Sequence, residues 1–239
     1  MPPAEVLPLV FDGVGLEAGG EWLLHDLCFR LDTGPCSVIL GPNGAGKTLT
    51  LRLCNGLILP SRGRIRWAGS GGGDPAAARA LVFQRPVLLR RSAAANVDYP
   101  LRLRGVARRE RERRCEEVLE ATGLAPIAQR PARKLSVGQQ HRLALARVWA
   151  LRPQVLFLDE PAASLDPAAS RSLEAAIHVI RKEGTKIVMT THDLGQAKRM
   201  SDEVLFLHRG RLLEQTPAEQ FWQEPRTAEA KGFLRGEVL

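Results

Sequence analysis

The chain has 239 residues, 44% hydrophobic and 25% charged, which is material for one large domain or a domain with an inserted lobe. No apolar run approaches the roughly 20 residues that cross a bilayer, and the opening "MPPAEVLPLVFDGV" lacks the basic flank and apolar stretch of a signal peptide, so a cytosolic protein is expected unless a partner holds it at a membrane. The formal charge of +8 permits nucleic acid, an anionic surface or acidic partners and selects none of them, a solvated basic surface being the expectation.

In chain order, residues 6–31 carry strand-like apolar runs broken by "AGG". "CSVIL" (36–40) is a short apolar run between Gly34-Pro35 and Gly41, which predicts a buried strand. "TLTLRLCNGLI" has helical spacing and is expected to end near Pro60. "RGRIRWAG" predicts a strand, "GSGGGDP" (69–75) a surface loop, and "RALVFQ" a strand ending at Gln84. From Arg85 to Leu151 there is no strand signal. "RGVARRERERRCEEVLEATGL" predicts a charged helix with internal ion pairs, and a second helix is expected to begin near Gln140. Strand–helix alternation then resumes: "VLFLDE", a helix over 168–183, "KIVMTTH", a helix over 193–200 and "EVLFLHRG". Asp166 with Pro167 predicts a helix cap followed by a first-turn proline. Thr216-Pro217-Ala218-Glu219 predicts a capping box for the last helix. Cys28, Cys36, Cys54 and Cys115 form no C-x-x-C pair and have no histidine at zinc-finger spacing, so they read as reduced, mostly buried thiols. Alternating strands and helices imply a mainly parallel, covered sheet.

The chemistry concentrates in two loops. "GPNGAGKT", from Gly41 through Pro42, Asn43, Gly44, Ala45, Gly46 and Lys47 to Thr48, fits G-x-x-x-x-G-K-[ST] between a predicted strand and a predicted helix. Its glycines let backbone N–H groups turn around a β-phosphate, and the helix N-terminus adds partial positive charge. Lys47 can reach the β- and γ-phosphates, and the Thr48 hydroxyl can ligate Mg2+. A second polar turn, "LSVGQ" (135–139), leads into a helix and also looks built for an anion. Asp159 and Glu160 end a buried strand, where an Asp can hold Mg2+ and the next acid can polarise an attacking water.

The phosphate loop, Gln84 at a strand end, "LSVGQ", Asp159-Glu160, "SLD" (164–166) and His192 after a strand occur in that order. Together they resemble the ATP-binding subunits of ABC transporters over nearly the whole chain. The resemblance implies an α/β P-loop NTPase fold with a mainly parallel sheet core, an N-terminal antiparallel β portion and an inserted helical lobe. The core lobe would be 1–84 with 152–239 and the helical lobe 85–151. It implies ATP and Mg2+, and a head-to-tail dimer of two copies. Each ATP would lie between one copy's Gly41–Thr48 and the other's Leu135–Gln139.

The same resemblance assigns roles. Gly41 to Thr48, with Leu49 through its backbone N–H, bind the nucleotide. Ser136, Gly138 and Gln139 serve the partner's γ-phosphate, and Asp166 bridges the two sites. Thr48, Gln84 and Asp159 support Mg2+. Glu160 is the general base, with Gln84 at the attacking water and His192 at the γ-phosphate. Membrane permease subunits and, indirectly, a substrate-binding protein are the implied partners, with no nucleic acid. The place implied is the cytoplasmic face of the inner membrane. "VFQRPVLLRRSAAANV" (82–97) with "GPNGAGKTLTLRL" looks most like cassettes of bacterial tungstate importers, with molybdate, phosphate and polar amino-acid systems as neighbours. Three positions depart from the pattern. Val137 replaces a usual Gly, Leu49 a usual Ser or Thr, and Ala18 stands where an aromatic normally stacks on adenine. Trp22 then either folds over the base or packs on the sheet.

Overall fold

The computed structural model describes residues 5–34, 36–69 and 74–237; residues 70–73 of the expected glycine-rich loop lie outside them. In chain order the elements are β1 (Leu9–Ala18), β2 (Glu21–Leu31), β3 (Ser37–Leu40), α1 (Lys47–Cys54), β4 (Arg62–Trp67), α2 (Pro75–Ala78), β5 (Arg79–Val82), α3 (Ala93–Leu103), α4 (Arg108–Ala121) and α5 (Val137–Trp149). Then come β6 (Val155–Asp159), α6 (Pro167–Lys182), β7 (Lys186–Thr191), α7 (Leu194–Met200), β8 (Glu203–His208), β9 (Arg211–Pro217), α8 (Ala218–Gln223) and α9 (Ala228–Leu234). These divide into two compact units. The first is Met1–Arg79, Gln154–Glu160 and Lys186–Leu239; the second is Ala80–Pro153 and Pro161–Thr185.

The first unit holds two sheets. Strands β1 and β2 form an antiparallel hairpin across Gly19-Gly20, both at positive φ, the two-residue turn that matches strand twist. Strand β4 pairs on the other side of β1, giving the order β2-β1-β4. In the second sheet β6, β7, β3 and β8 run parallel, and β9 pairs antiparallel with β8. Every residue of β3, β6 and β7 is buried, and the apolar runs VIL (38–40) and VLFL (155–158) suit strands covered on both faces. Helix α1 packs on β6 and β7, and Phe206 of β8 lies against Phe221 and Phe233 from the C-terminal helices.

The second unit is helical beyond β5. Helix α3 is capped by Ser92. Buried Asn96 ties the preceding segment down, accepting from the Leu89 N–H at 2.8 Å and donating to the Ser92 carbonyl at 2.9 Å. Helix α4 carries the expected ion pairs: Arg113 and Arg114 both hold Glu110, Arg113 also holds Glu117, and Arg108 holds Glu112. The two guanidiniums keep the Glu110 carboxyl down at about 2. Helices α3, α4 and α6 all pack on α5.

Several boundaries differ from expectation. Helix α5 begins at Val137, not near Gln140, because Ser136 caps it. Thr216 caps nothing. It is buried in β9 opposite Val204, and the ladder takes precedence over the local capping pattern. The last helix is α9, capped by Thr227. Strand β5 ends at Val82 rather than Gln84, and α1 ends at Cys54, with Gly56 at positive φ turning the chain. Residues 161–185, expected in the core lobe, cluster with the helical unit.

Candidate functional site

The parallel register explains how distant motifs meet. Leu40 of β3 lies opposite Thr191 of β7, and Asp159 of β6 lies opposite Thr190. Because the strands share one direction, the residues that follow them emerge at the same sheet edge: Gly41, Glu160 and His192. Ligands of open α/β sheets bind outside that carboxyl edge.

The phosphate loop is built around an open helix end. Gly46 caps α1 in the left-handed region (φ 98°), and a Cβ there would meet Leu24 Cδ2 at 2.4 Å. No side chain caps α1, so its first-turn N–H groups stay available, with the helix dipole behind them, to an anion. Lys47 is 6% exposed. Its ammonium donates to the carbonyls of Gly41 (2.8 Å) and Pro42 (3.1 Å), folding back over its own loop. Burial lowers its pKa, while Glu160 and Asp159 act to raise it. Glu160 Oε1 lies 4.0 Å from the ammonium, so the cation keeps a partner in this buried place.

The acidic side of the site is equally ordered. Thr48 donates its hydroxyl to Asp159 Oδ1 at 2.9 Å. Thr190 donates to the same oxygen at 2.8 Å. Glu160 sits at φ 44°, a strained conformation for a non-glycine residue, and its N–H donates to Thr190 Oγ1 at 3.0 Å. His192 Nδ1 lies 2.7 Å from Glu160 Oε2; a carboxylate only accepts, so Nδ1 carries the hydrogen. The first unit thus gathers Gly41–Leu49, Asp159, Glu160 and His192. Sequence reading missed Thr190, one of two consecutive threonines that end the strand Lys186–Thr191.

Gln84, Ser136, Gly138, Gln139 and Asp166 lie in the second unit. Ser136 and Gln139 make a closed capping box: Gln139 N–H donates to Ser136 Oγ (3.3 Å) and Ser136 N–H to Gln139 Oε1 (3.0 Å). Gly138 has no room for a side chain, since a Cβ would meet Ala169 Cβ at 2.8 Å. Asp166 Oδ1 accepts from the N–H groups of Ala168 (2.9 Å) and Ala169 (2.8 Å) as the cap of α6. Buried His141 approaches the Pro161 carbonyl at 2.8 Å, so Nδ1 carries the hydrogen, and burial lowers the pKa of the ring. Gln84 is exposed. Trp22 takes the second of its two expected places. Its ring lies against Gly15 and under the Arg62 guanidinium, 5.5 Å from the ring centroid, on the three-stranded sheet.

The sequence model described as ABC transporter matches residues 24–163. The chain belongs to the ABC transporter family. This ABC ATPase is 36% identical over 197 residues to the tungstate uptake system ATP-binding protein TupC of Peptoclostridium acidaminophilum, covering 82% of this chain and 92% of that protein. It is 37% identical to the methionine import ATP-binding protein MetN 1 of Rhodococcus jostii, covering 89% of this chain but only 66% of that longer protein. Further relatives are named for Fe(3+) and phosphate import. A solved dimeric ATP-binding cassette bound to ADP and Pi shares the fold with a TM-score of 0.76 at 24% identity, covering 88% of this chain and 98% of that one.

The residues present fit ATP: an uncapped helix end, a buried cation at its loop and the Glu160 carboxylate 4.0 Å from that cation. They also fit Mg2+. The Thr48 hydroxyl and the Asp159 carboxylate are the hard oxygen donors this ion prefers, in the small number it takes when phosphates complete its shell. Among the described residues no group of three or more His, Cys, Asp or Glu could hold a metal ion.

Proposed function

We propose that this ATPase is the energy-coupling subunit of an importer whose cargo is tungstate or a related oxyanion. The observation that carries the cargo is extent: the match to the tungstate relative spans 92% of that protein, so the likeness is to the whole subunit. Phosphate is the second reading, favoured by a 34% identical phosphate import relative of Natronomonas pharaonis matched over 97% of this chain and 87% of that one.

In this reading the nucleotide phosphates occupy the N-terminus of α1, cradled by Gly41–Leu49, with Lys47 turned from its loop carbonyls to the β- and γ-phosphates. Thr48, Asp159 and Gln84 would hold Mg2+, which supplies charge neutralisation at the phosphates. Glu160 accepts the proton of the attacking water. His192 fixes Oε2 of that carboxylate, leaving Oε1 for the water. A second copy presents Ser136, Gly138 and Gln139 to the γ-phosphate, and Asp166 bridges the two sites. The γ-phosphate then joins two chains, and hydrolysis releases them.

The permease contact is proposed on the second unit. A cavity of about 120 Å3 is lined by Phe83, Pro86, Val87, Ala144, Arg147 and Val148. Val87 is 77% exposed, and Arg147 donates to its carbonyl at 2.8 Å. An exposed apolar hollow on a fixed segment suits a short amphipathic helix of a membrane subunit. That contact holds the chain at the cytoplasmic face of the membrane; among the described residues no helix is long and apolar enough to cross one. The test is uptake by vesicles carrying the chain with its own permease and binding protein. ATP-driven accumulation of tungstate in preference to phosphate and methionine is expected. Preference for phosphate would support the second reading, and no ATP-driven uptake of any of the three would contradict import of this class.

A further inference from the structure

Thr190 lies near the end of β7 in the parallel sheet, fully buried, after the apolar run Ile187, Val188 and Met189 and before buried Thr191. A hydroxyl in such a place must find its partners among fixed groups. It has two, and both belong to the machinery above. Its one hydrogen goes to Asp159 Oδ1 (2.8 Å), and a lone pair receives the N–H of Glu160 (3.0 Å). A single oxygen therefore touches both consecutive acids, one through its side chain and one through its backbone.

The two contacts do different things. Asp159 Oδ1 accepts from Thr48 as well as Thr190. If the Thr48 oxygen were to hold a metal, the Thr190 hydrogen bond would still fix the orientation of the carboxylate. Glu160 stands at φ 44°, and its N–H is shared between Thr190 Oγ1 and the Thr190 carbonyl at 3.2 Å. The hydroxyl is thus the side-chain tie that holds a strained backbone turn, and the direction of the Glu160 side chain depends on that turn.

We infer that Thr190 is a positioning residue that sets Asp159 and Glu160 in one geometry, so that the metal-side and water-side carboxylates move as a pair. The inference rests on the catalytic reading of this edge. Valine has the shape of threonine without the hydroxyl, so Thr190→Val removes the two contacts and little else. Thr190→Ser keeps the hydroxyl with less bulk. For Thr190→Val we expect kcat to fall about ten-fold, the scale of one lost hydrogen bond to a charged group. ATP affinity in EDTA, read by calorimetry, should stay within about two-fold, since the phosphate loop is untouched. Mn2+ affinity of the ATP-loaded protein, read by electron paramagnetic resonance, should fall by about ten-fold or more, as for other groups that orient a metal ligand. Thr190→Ser should recover most of both losses. Wild-type kcat and Mn2+ affinity in Thr190→Val would overturn the inference, as would equal losses in Thr190→Ser, which would mark a packing role. If the wild-type protein failed to hydrolyse ATP, the catalytic reading itself would fall, and the Mn2+ titration would still decide whether Thr190 orients Asp159.

Discussion

The phosphate loop and the turn Leu135–Gln139 both lead into helix N-termini, and they are finished in opposite ways. Helix α1 starts from Gly46 with no side-chain cap, so its first N–H groups await an external anion. Helix α5 starts from Ser136 with a complete capping box, so its end is satisfied from within. The first leaves its backbone donors open to an external anion. The second is an end whose Ser136 oxygen accepts from the Gln139 N–H and whose Ser136 N–H donates to Gln139 Oε1. In the proposed reading the two ends divide the work: the open one would hold the nucleotide, and the closed one would meet a nucleotide held by a second copy.

Substitutions can break or sharpen that contrast. The largest effect belongs to Glu160→Gln, which keeps the shape of the open site but removes the base. Hydrolysis should fall by about a hundred-fold or more, with ATP still bound, and steady-state turnover beside equilibrium binding checks both. Lys47→Ala strikes the open loop directly. Losing a charged hydrogen-bond donor to phosphate should weaken ATP binding by roughly ten- to a hundred-fold, measured by calorimetry.

Ser136→Ala strikes the closed end. It should lower stability by about 1 kcal/mol, the worth of a helix cap, and the thermal midpoint by roughly 2–4 °C, with isolated-chain ATP binding unchanged. The smallest effect is at Trp22. Because its ring is taken up by Gly15 and Arg62, Trp22→Ala should leave ATP affinity within about two-fold, against the ten-fold or more that loss of a base-stacking aromatic would bring. A nucleotide titration of that variant checks it.

What was legible in the sequence followed from how local each signal is. The phosphate loop needed only its own spacing and its strand and helix flanks. The buried strands read directly as apolar runs. Capping patterns were less secure, and two of them show why. Ser136-x-x-Gln139 is a capping box in the structure, and its sequence has the Ser-x-x-Gln form. Thr216-x-x-Glu219 has the same form and caps nothing, because pairing with β8 holds Thr216 in a strand. The local pattern is the same, and the tertiary partner decides. The face of Trp22 was similarly hidden, since it depends on register shifts between β1 and β2 that no local pattern records. Thr190 was invisible for a related reason. A threonine in a strand has ordinary propensity, and only the register opposite Asp159 gives its hydroxyl a task.

The division of labour between the open and closed helix ends is tested most directly by mixing two defective chains. Ser136→Arg spoils the turn offered to a partner, and Lys47→Ala spoils the loop that holds a nucleotide. Each alone should show little ATP hydrolysis. A mixed dimer contains one intact site, formed by the loop of the Ser136→Arg chain and the turn of the Lys47→Ala chain. Hydrolysis that appears only in the mixture, and grows with the fraction of mixed dimer, is the predicted result. A mixture no more active than the sum of its parts would contradict the shared site.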